Sequence, residues 1–258
     1  MLRTRVIPVL LLKDKGLVKS IKFNKFRYVG DPINAVKIFN EKEVDELIFL
    51  DITATREDRK PDFQYIEDIA SECFMPLAYG GGIKSIDDIE KLFKIGIEKV
   101  IINTAALKNQ LSIREASSLF GSQSIIVSID AKRNLFGKYR IYRHKDLKII
   151  KLEPEKFAEN MEIAGAGEIF INSVDRDGTM QGCDLQLIKQ VSEQVNIPVI
   201  ACGGIGTLSD FSQAVIEGGA SAVAAGSFFV FHGKLRAVLI TYPDYEELER
   251  LLGNDNPG

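Results

Sequence analysis

The chain is poor in the residues that build metal and disulfide sites: it has no tryptophan, two histidines and three cysteines in 258 residues. Cys73, Cys183 and Cys202 are widely and irregularly spaced, so no Cys/His pattern predicts a metal site. An odd cysteine count and no recognisable signal peptide favour a reducing compartment. We therefore expect a cytoplasmic protein with neither a metal nor another cofactor.

The sequence also lacks long hydrophobic runs and an excess of one charge. Its first apolar run, residues 6–12, contains Pro8 and is followed by charged residues, and it is far shorter than the roughly 20 residues of a membrane-spanning helix. A net charge of −3 and a pI near 5.6 argue against broad binding to nucleic acid or to an anionic membrane. We expect neither as a partner.

What the chain does contain is a regular alternation of short apolar runs and amphipathic segments. The runs are apolar throughout, as expected of parallel strands covered on both faces. They cover residues 6–12, 47–51, 76–79, 100–103, 124–130, 169–172, 198–202 and 222–225. Helix starts are predicted at Asp31, Ser85 and Thr207, from a cap residue followed by proline and from two capping boxes. Eight such units predict a single (β/α)8 TIM barrel over residues 1–258.

An internal repeat divides the chain near its middle. Residues 76–83 echo residues 198–205, and the first strand, ending at Lys13, aligns with the fifth, ending at Lys132. The repeat predicts two duplicated half-barrels, roughly residues 1–121 and 122–258. Residues 134–150 interrupt the rhythm and are predicted to form an inserted β-hairpin after strand 5.

Glycine-rich turns follow the third and seventh strands, and the eighth strand ends in Gly226 and Ser227. Glycine lets backbone N–H groups approach phosphate oxygens, and barrels often bind phosphate after strands 7 and 8. We expect two phosphate sites, although tight turns alone would also use these glycines. The first site is predicted at Gly81, Gly82, Asn103 and Thr104, and the second at Gly203, Gly204, Gly226 and Ser227.

Two charged sets stand at opposite ends of the predicted strands. Four carboxylates, Asp51, Asp130, Asp175 and Asp177, follow strands, where a carboxylate can act as acid or base. The alternative is that they cap a loop or form a salt bridge with Lys13, Lys19, Lys132 or Arg176. Two cations and two anions precede strands and could close the barrel bottom, or could simply be solvated. They are Arg5, Glu46, Lys99 and Glu168.

Several segments together resemble the HisF family, the cyclase subunit of imidazole glycerol phosphate synthase, over nearly the full length. They are residues 45–54, 80–83, 102–106, 120–123, 128–133, 165–169 and 175–179. The resemblance implies that a HisH-like glutaminase docks at the barrel bottom as a heterodimer and that ammonia crosses the barrel. It makes the bottom charged set an ammonia gate and identifies Lys19 as the lysine of a lid after strand 1. It implies that a phosphorylated small-molecule ligand contacts Gly82, Asn103, Thr104, Gly204, Gly226 and Ser227. From their positions after strands, we count Asp51 and Asp177 among the ligand-binding residues as well.

One departure from the family bears on the chemistry. HisF uses two catalytic aspartates, of which the second is Asp130 here, whereas the first position is Leu11. Leucine cannot move a proton, and one acid–base group commonly contributes about 10²–10⁴-fold in rate. The combination resembles the HisF-like branch found with surface-polysaccharide genes. That branch implies ammonia delivery for converting a sugar acetamido group to an acetamidino group, with a sugar amidotransferase as a further partner. The alternatives are a histidine-pathway cyclase and a non-catalytic scaffold that activates the glutaminase.

Overall fold

A computed structural model describes residues 4–108, 111–233 and 235–252. Eight parallel strands alternate with helices. The strands are β1 (Arg5–Lys13), β2 (Leu47–Asp51), β3 (Leu77–Gly80), β4 (Lys99–Ile102), β5 (Ile125–Arg133), β6 (Glu168–Ser173), β7 (Val199–Cys202) and β8 (Ala222–Ala225). Each lies within a few residues of a run that the sequence predicts as a strand.

The eight strands close on themselves. Neighbouring strands pair in parallel from β1 through β5, β5 pairs with β6, and the order continues through β7 and β8 back to β1. Arg5 lies opposite Ala222 on one side of β1, and Val9 lies opposite Ile48 on the other. This closed parallel sheet surrounded by helices confirms the predicted TIM barrel.

The helices are α1 (Pro32–Glu41), α2 (Phe63–Ser71), α3 (Ile86–Lys94), α4 (Thr104–Lys108), α5 (Leu111–Phe120), α6 (Pro154–Ile163), α7 (Leu185–Ser192), α8 (Leu208–Ile216), α9 (Ser227–Val230) and α10 (Tyr245–Leu252). Three of the helices, α1, α3 and α8, begin at the predicted caps Asp31, Ser85 and Thr207. Asp31 accepts the N–H of Asn34, and Ser85 forms a full capping box with Asp88. No helix within the described ranges is both long and apolar enough to cross a membrane.

Two hairpins extend from opposite strands of the barrel. The nine-residue β1 pairs antiparallel with Gly16–Ile21, which pairs with Asn24–Gly30. The nine-residue β5 pairs antiparallel with Tyr139–Arg143, which pairs with Lys148–Ile149, inside the segment predicted as a hairpin. A short pair, Phe231–His232 with Ala237–Val238, follows α9. The hairpin after β1 was not predicted, because its second strand is mostly exposed and has no apolar run.

The matching hairpins after β1 and β5 favour the duplicated half-barrels, which remain a prediction together with the single domain over residues 1–258. The ends of that predicted domain, residues 1–3 and 253–258, lie outside the described residues.

Alternation along the strands separates two apolar layers. On β1, Val6 and Leu10 pack against the helices, whereas Ile7 and Val9 face the barrel interior. The interior layer joins buried side chains from all eight strands. These are Ile7, Val9, Ile48, Ala78, Ile101, Ile126, Phe170, Ile200, Ala222 and Ala224. The layer separates a charged ring at the amino ends of the strands from a cavity at their carboxyl ends.

Candidate functional site

The carboxyl ends of the strands surround a cavity of about 430 Å³. All thirteen residues predicted from the sequence for catalysis or ligand binding line it. These are Leu11, Lys19, Asp51, Gly81, Gly82, Asn103, Thr104, Asp130, Asp177, Gly203, Gly204, Gly226 and Ser227. A barrel brings them together because the carboxyl ends of all its parallel strands meet on one face.

Asp130 lies on the floor of this cavity, at the inner side of β5, and is 8 % exposed. The Asn103 side chain donates from Nδ2 to Asp130 Oδ2 at 3.0 Å, and Asn172 on β6 also hydrogen-bonds the carboxyl. Burial raises the pKa of Asp130 to about 7, and the charge of Asp177 acts in the same direction, while both amides oppose the rise. Asp130 can therefore exchange a proton near neutral pH.

Leu11 lies on β1, on the opposite side of the barrel from β5, with three strands between them in either direction. It pairs with Leu50 of β2, and both side chains pack against the interior layer and line the cavity. The wall opposite Asp130 is thus hydrocarbon where a second carboxylate would be needed for paired acid–base chemistry.

The hairpin after β1 brings Lys19 into the cavity, where it is 4 % exposed. Its Nζ donates to the Val9 carbonyl at 2.5 Å, and a Cβ on Gly226 would lie 2.7 Å from that nitrogen. Burial lowers the pKa of Lys19 to about 8, and the nearby Asp177 opposes this shift. The ammonium group therefore lies directly beside Gly226 of the second predicted phosphate site.

Asp177 holds the same hairpin from the loop after β6. Its carboxylate accepts Ser20 Oγ at 2.8 Å and the Phe23 N–H at 3.2 Å, and its carbonyl accepts the Lys22 N–H at 3.0 Å. Burial raises the pKa of Asp177, while its hydrogen bonds and Lys19 lower it. Asp177 thus anchors the hairpin that carries Lys19.

Glycine is required sterically at two positions of these turns, independently of the predicted phosphate ligand. Gly81 has φ +120°, and a Cβ there would lie 2.3 Å from the Asp51 carbonyl oxygen. Gly204 has φ +100°, and its Cβ would lie 2.2 Å from the Gly182 carbonyl oxygen. Both positions require glycine for the backbone alone, so phosphate binding there stays a prediction.

The Asp51 carboxylate is engaged within its own loop. Its Oδ1 accepts the N–H groups of Thr53 and Ala54, each at 3.0 Å, and its Oδ2 lies 3.2 Å from Arg59. This arrangement matches the loop-cap alternative, whereas the ion-pair partner is Arg59 and not one of the four expected cations. Asp175 likewise accepts a backbone N–H, that of Arg133, at 2.9 Å.

Two polar residues, Asn172 near Asp130 and His144 near Asp51, also line the cavity although they were not predicted as part of the site. Asn172 lies opposite Asp130 in the pairing of β5 with β6, so its place at a strand end was the available signal. His144 lines the cavity from the hairpin after β5, with Nε2 3.3 Å from the Ile52 carbonyl. Burial lowers its pKa. The sequence offered no partner for this histidine because the contact spans 92 residues.

The four charged residues predicted at the barrel bottom form a closed ring, at the opposite end from the cavity. Arg5 contacts Glu46 at 2.5 Å and Glu168 at 2.6 Å. Lys99 contacts the same two carboxylates at 3.1 and 2.8 Å. Each charge therefore has two opposite neighbours. No group of three or more potential ligands among the described side chains is placed to hold a metal ion.

Comparison with known proteins identifies the family of this chain. The model of the histidine biosynthesis protein family matches residues 5–236. A Pseudomonas aeruginosa protein is 52 % identical over 249 residues, covering 96 % of this chain and 99 % of its own. Its name assigns it provisionally to the HisF subunit of imidazole glycerol phosphate synthase. The chain belongs to the HisF family.

Other HisF relatives match over similar lengths and carry equally provisional names. A Leptospira interrogans protein is 44 % identical over 252 residues, covering 97 % of this chain and 99 % of its own. A Vibrio vulnificus protein is 46 % identical over 253 residues, covering 98 % and 97 %. The resemblance noted in the sequence is thereby confirmed at the level of the family.

Proposed function

We propose that this chain is the barrel subunit of a glutamine amidotransferase, paired with a HisH-like glutaminase in the cytoplasm. Ammonia enters at the bottom, crosses the barrel and leaves at the mouth, where a phosphorylated ligand binds. A sugar amidotransferase then uses the ammonia to convert an acetamido group of a surface-polysaccharide sugar to an acetamidino group. The observation that carries this proposal is an intact charged ring at the bottom with Leu11 in place of a second acid–base residue at the mouth.

The ring supports passage of a small polar molecule. One carboxylate oxygen of Glu46, Oε1, is buried and has no hydrogen-bond partner among the described residues. A buried acceptor of this kind is costly to leave unpaired, and ammonia supplies N–H donors. Above the ring, Ala78, Ala222 and Ala224 reduce the side-chain volume in the interior layer. These features favour an ammonia gate over a purely structural ion-pair network.

The bottom face also carries exposed apolar side chains around the ring. Phe74 follows α2, while Ile163 and Ile216 end α6 and α8, and all three are largely exposed. These positions precede β3, β6 and β8, so they lie at the same end of the barrel as the ring. Exposed apolar side chains gathered on one face are candidate contacts for a protein partner. We assign this face to the glutaminase.

The experiment that tests the proposal is to mix the purified chain with a HisH-like glutaminase and measure glutamine hydrolysis. We expect the glutaminase to gain activity, and Phe74→Ser or Ile216→Ser to reduce that gain. Phe136→Ser is the matched control, because Phe136 is as exposed as Phe74 but lies in the turn after β5, at the mouth. The proposal fails if no complex forms, or if the control weakens activation as much as the bottom-face variants.

The names of the relatives favour a second candidate, the cyclase of imidazole glycerol phosphate synthase. Asp130 and the residues of both glycine turns are compatible with it, whereas Leu11 is not. An assay with ammonium and the histidine-pathway ribonucleotide substrate separates the candidates. Negligible formation of imidazole glycerol phosphate supports the sugar-directed function, and rapid turnover supports the cyclase.

A further inference from the structure

Three lysines converge at one side of the cavity rim, beside Gly81 and Gly82, and they come from separate parts of the chain. Lys84 follows the turn after β3, Lys108 ends α4, and Lys145 lies between the strands of the hairpin after β5. All three line the cavity together with Asp58 from the loop after β2. Such a cluster is not the solvated face of one helix, since only the barrel brings these segments together.

The cluster contains more positive charge than its own carboxylate neutralises. Lys84 Nζ donates to the Asp58 carbonyl at 2.7 Å and to its Oδ1 at 2.9 Å. The hydrogen bond from Lys84 lowers the pKa of Asp58 most, and the charges of Lys84, Lys145 and Lys108 add to it. Within the described ranges, neither Lys108 nor Lys145 forms an ion pair. Three cations thus share one exposed carboxylate and repel one another.

The opposite side of the cavity has no such excess. There Lys19 lies near Asp177. The Asp130 carboxyl is on the floor, where Asn103 donates to it. On the near side, next to Gly81, the Asp51 carboxylate is matched by Arg59. Arg176 packs against Gly204 but does not line the cavity. Among the lining side chains, the excess of positive charge therefore lies next to Gly81 and Gly82.

We propose that the rim beside Gly81 and Gly82 binds a diphosphate group, with one phosphate on the glycine turn and the other among Lys84, Lys108 and Lys145. Successive backbone N–H groups at a glycine turn form an anion-binding concavity, and lysine binds phosphate as a mobile point charge. The proposal rests on the proposed function for the ligand's place at the mouth. It names the ligand class as a diphosphate carrier, such as a nucleoside diphosphate sugar.

Calorimetric titration of the whole chain at low salt tests this with inorganic pyrophosphate against orthophosphate. We expect pyrophosphate to bind at least about ten-fold more tightly, a difference of about 1.4 kcal/mol. ADP and UDP, compared with AMP and UMP, form the second arm. Binding of ADP or UDP at least as tight as that of pyrophosphate assigns a nucleotide carrier, and binding of pyrophosphate alone assigns a free diphosphate; both outcomes support the site. Equal affinity for pyrophosphate and orthophosphate overturns it.

Variants locate the binding on the rim. Lys108→Gln and Lys145→Gln should each weaken pyrophosphate binding by about two- to five-fold, as expected of exposed charges, and orthophosphate binding less. Lys189→Gln is the matched control, because Lys189 is an exposed lysine on α7, outside the cavity. If the rim variants behave like this control, the proposal is wrong. Titration needs no glutaminase, so failure of glutaminase activation with pyrophosphate binding intact contradicts only the proposed function.

Discussion

Replacing the buried carboxyl on the cavity floor, Asp130→Asn, should change how the stability of the protein depends on pH. Burial raises the pKa of Asp130 from 3.8 to about 7 in the folded chain. The folded state therefore holds this proton more tightly than the unfolded state. Its contribution to stability is complete below pH 3.8 and is lost as pH rises through about 7. Asparagine has no such proton and removes this dependence.

The two pKa values set the size of the effect. Linkage between them corresponds to a loss of about 2–3 kcal/mol in the unfolding free energy as pH rises from about 5 to about 8. This is an upper limit, because water reaches the cavity. The unfolding free energy of Asp130→Asn minus that of the parent should thus rise by up to this amount between the lower and the higher pH. Lys19 shifts stability with pH in the opposite direction. Both proteins retain Lys19, so its contribution cancels when their unfolding free energies are subtracted.

Urea unfolding of both proteins at the two pH values measures the effect. Asp14→Asn provides a control, because Asp14 is an exposed carboxylate outside the cavity with a positive φ that asparagine also tolerates. If the stability difference between Asp130→Asn and the parent does not change with pH, Asp130 is not a buried titrating group, and its assigned role in proton exchange is refuted.

Three further substitutions test the cavity mouth, the charged ring and the hairpin after β1. Leu11→Asp should create trace formation of imidazole glycerol phosphate, because a missing acid–base group adds about 3–5 kcal/mol to the barrier; full turnover by the unmodified chain would contradict this. Lys99→Met should lower the unfolding free energy by about 1–3 kcal/mol in urea titrations, since Glu46 and Glu168 lose a shared cation, and unchanged stability would show the ring is not coupled. Ser20→Ala should speed amide hydrogen exchange in residues 16–30, because the hydrogen bond from Ser20 to Asp177 that it removes contributes about 1 kcal/mol. Unaltered exchange would mean that other contacts hold this hairpin in place.

The barrel itself was predictable because its strands are defined by local pattern. The run at residues 47–51 is apolar up to its last residue, Asp51, and the run at residues 222–225 is apolar throughout. The observed bounds of both strands match the predicted ones. Two helix starts were also predictable from local sequence, because the side chains of Asp31 and Ser85 accept hydrogen bonds from backbone N–H groups three residues later. The hairpin after β1 was missed because Asn24–Gly30 has little buried side chain, and its pairing depends on the neighbouring strand rather than on its own residues.

The sequence by itself determined the fold class, the family and the set of residues gathered at each end of the barrel. Parallel strands place every strand end on one of two faces, so order along the chain suffices to sort residues into ring and mouth. Only the tertiary structure decided how those residues are used. It engaged Asp51 with its own loop, added Asn172 to the Asp130 site, buried Lys19 beside Gly226 and grouped three distant lysines on one rim. These outcomes depend on distances and burial between segments far apart in sequence, which no local pattern encodes.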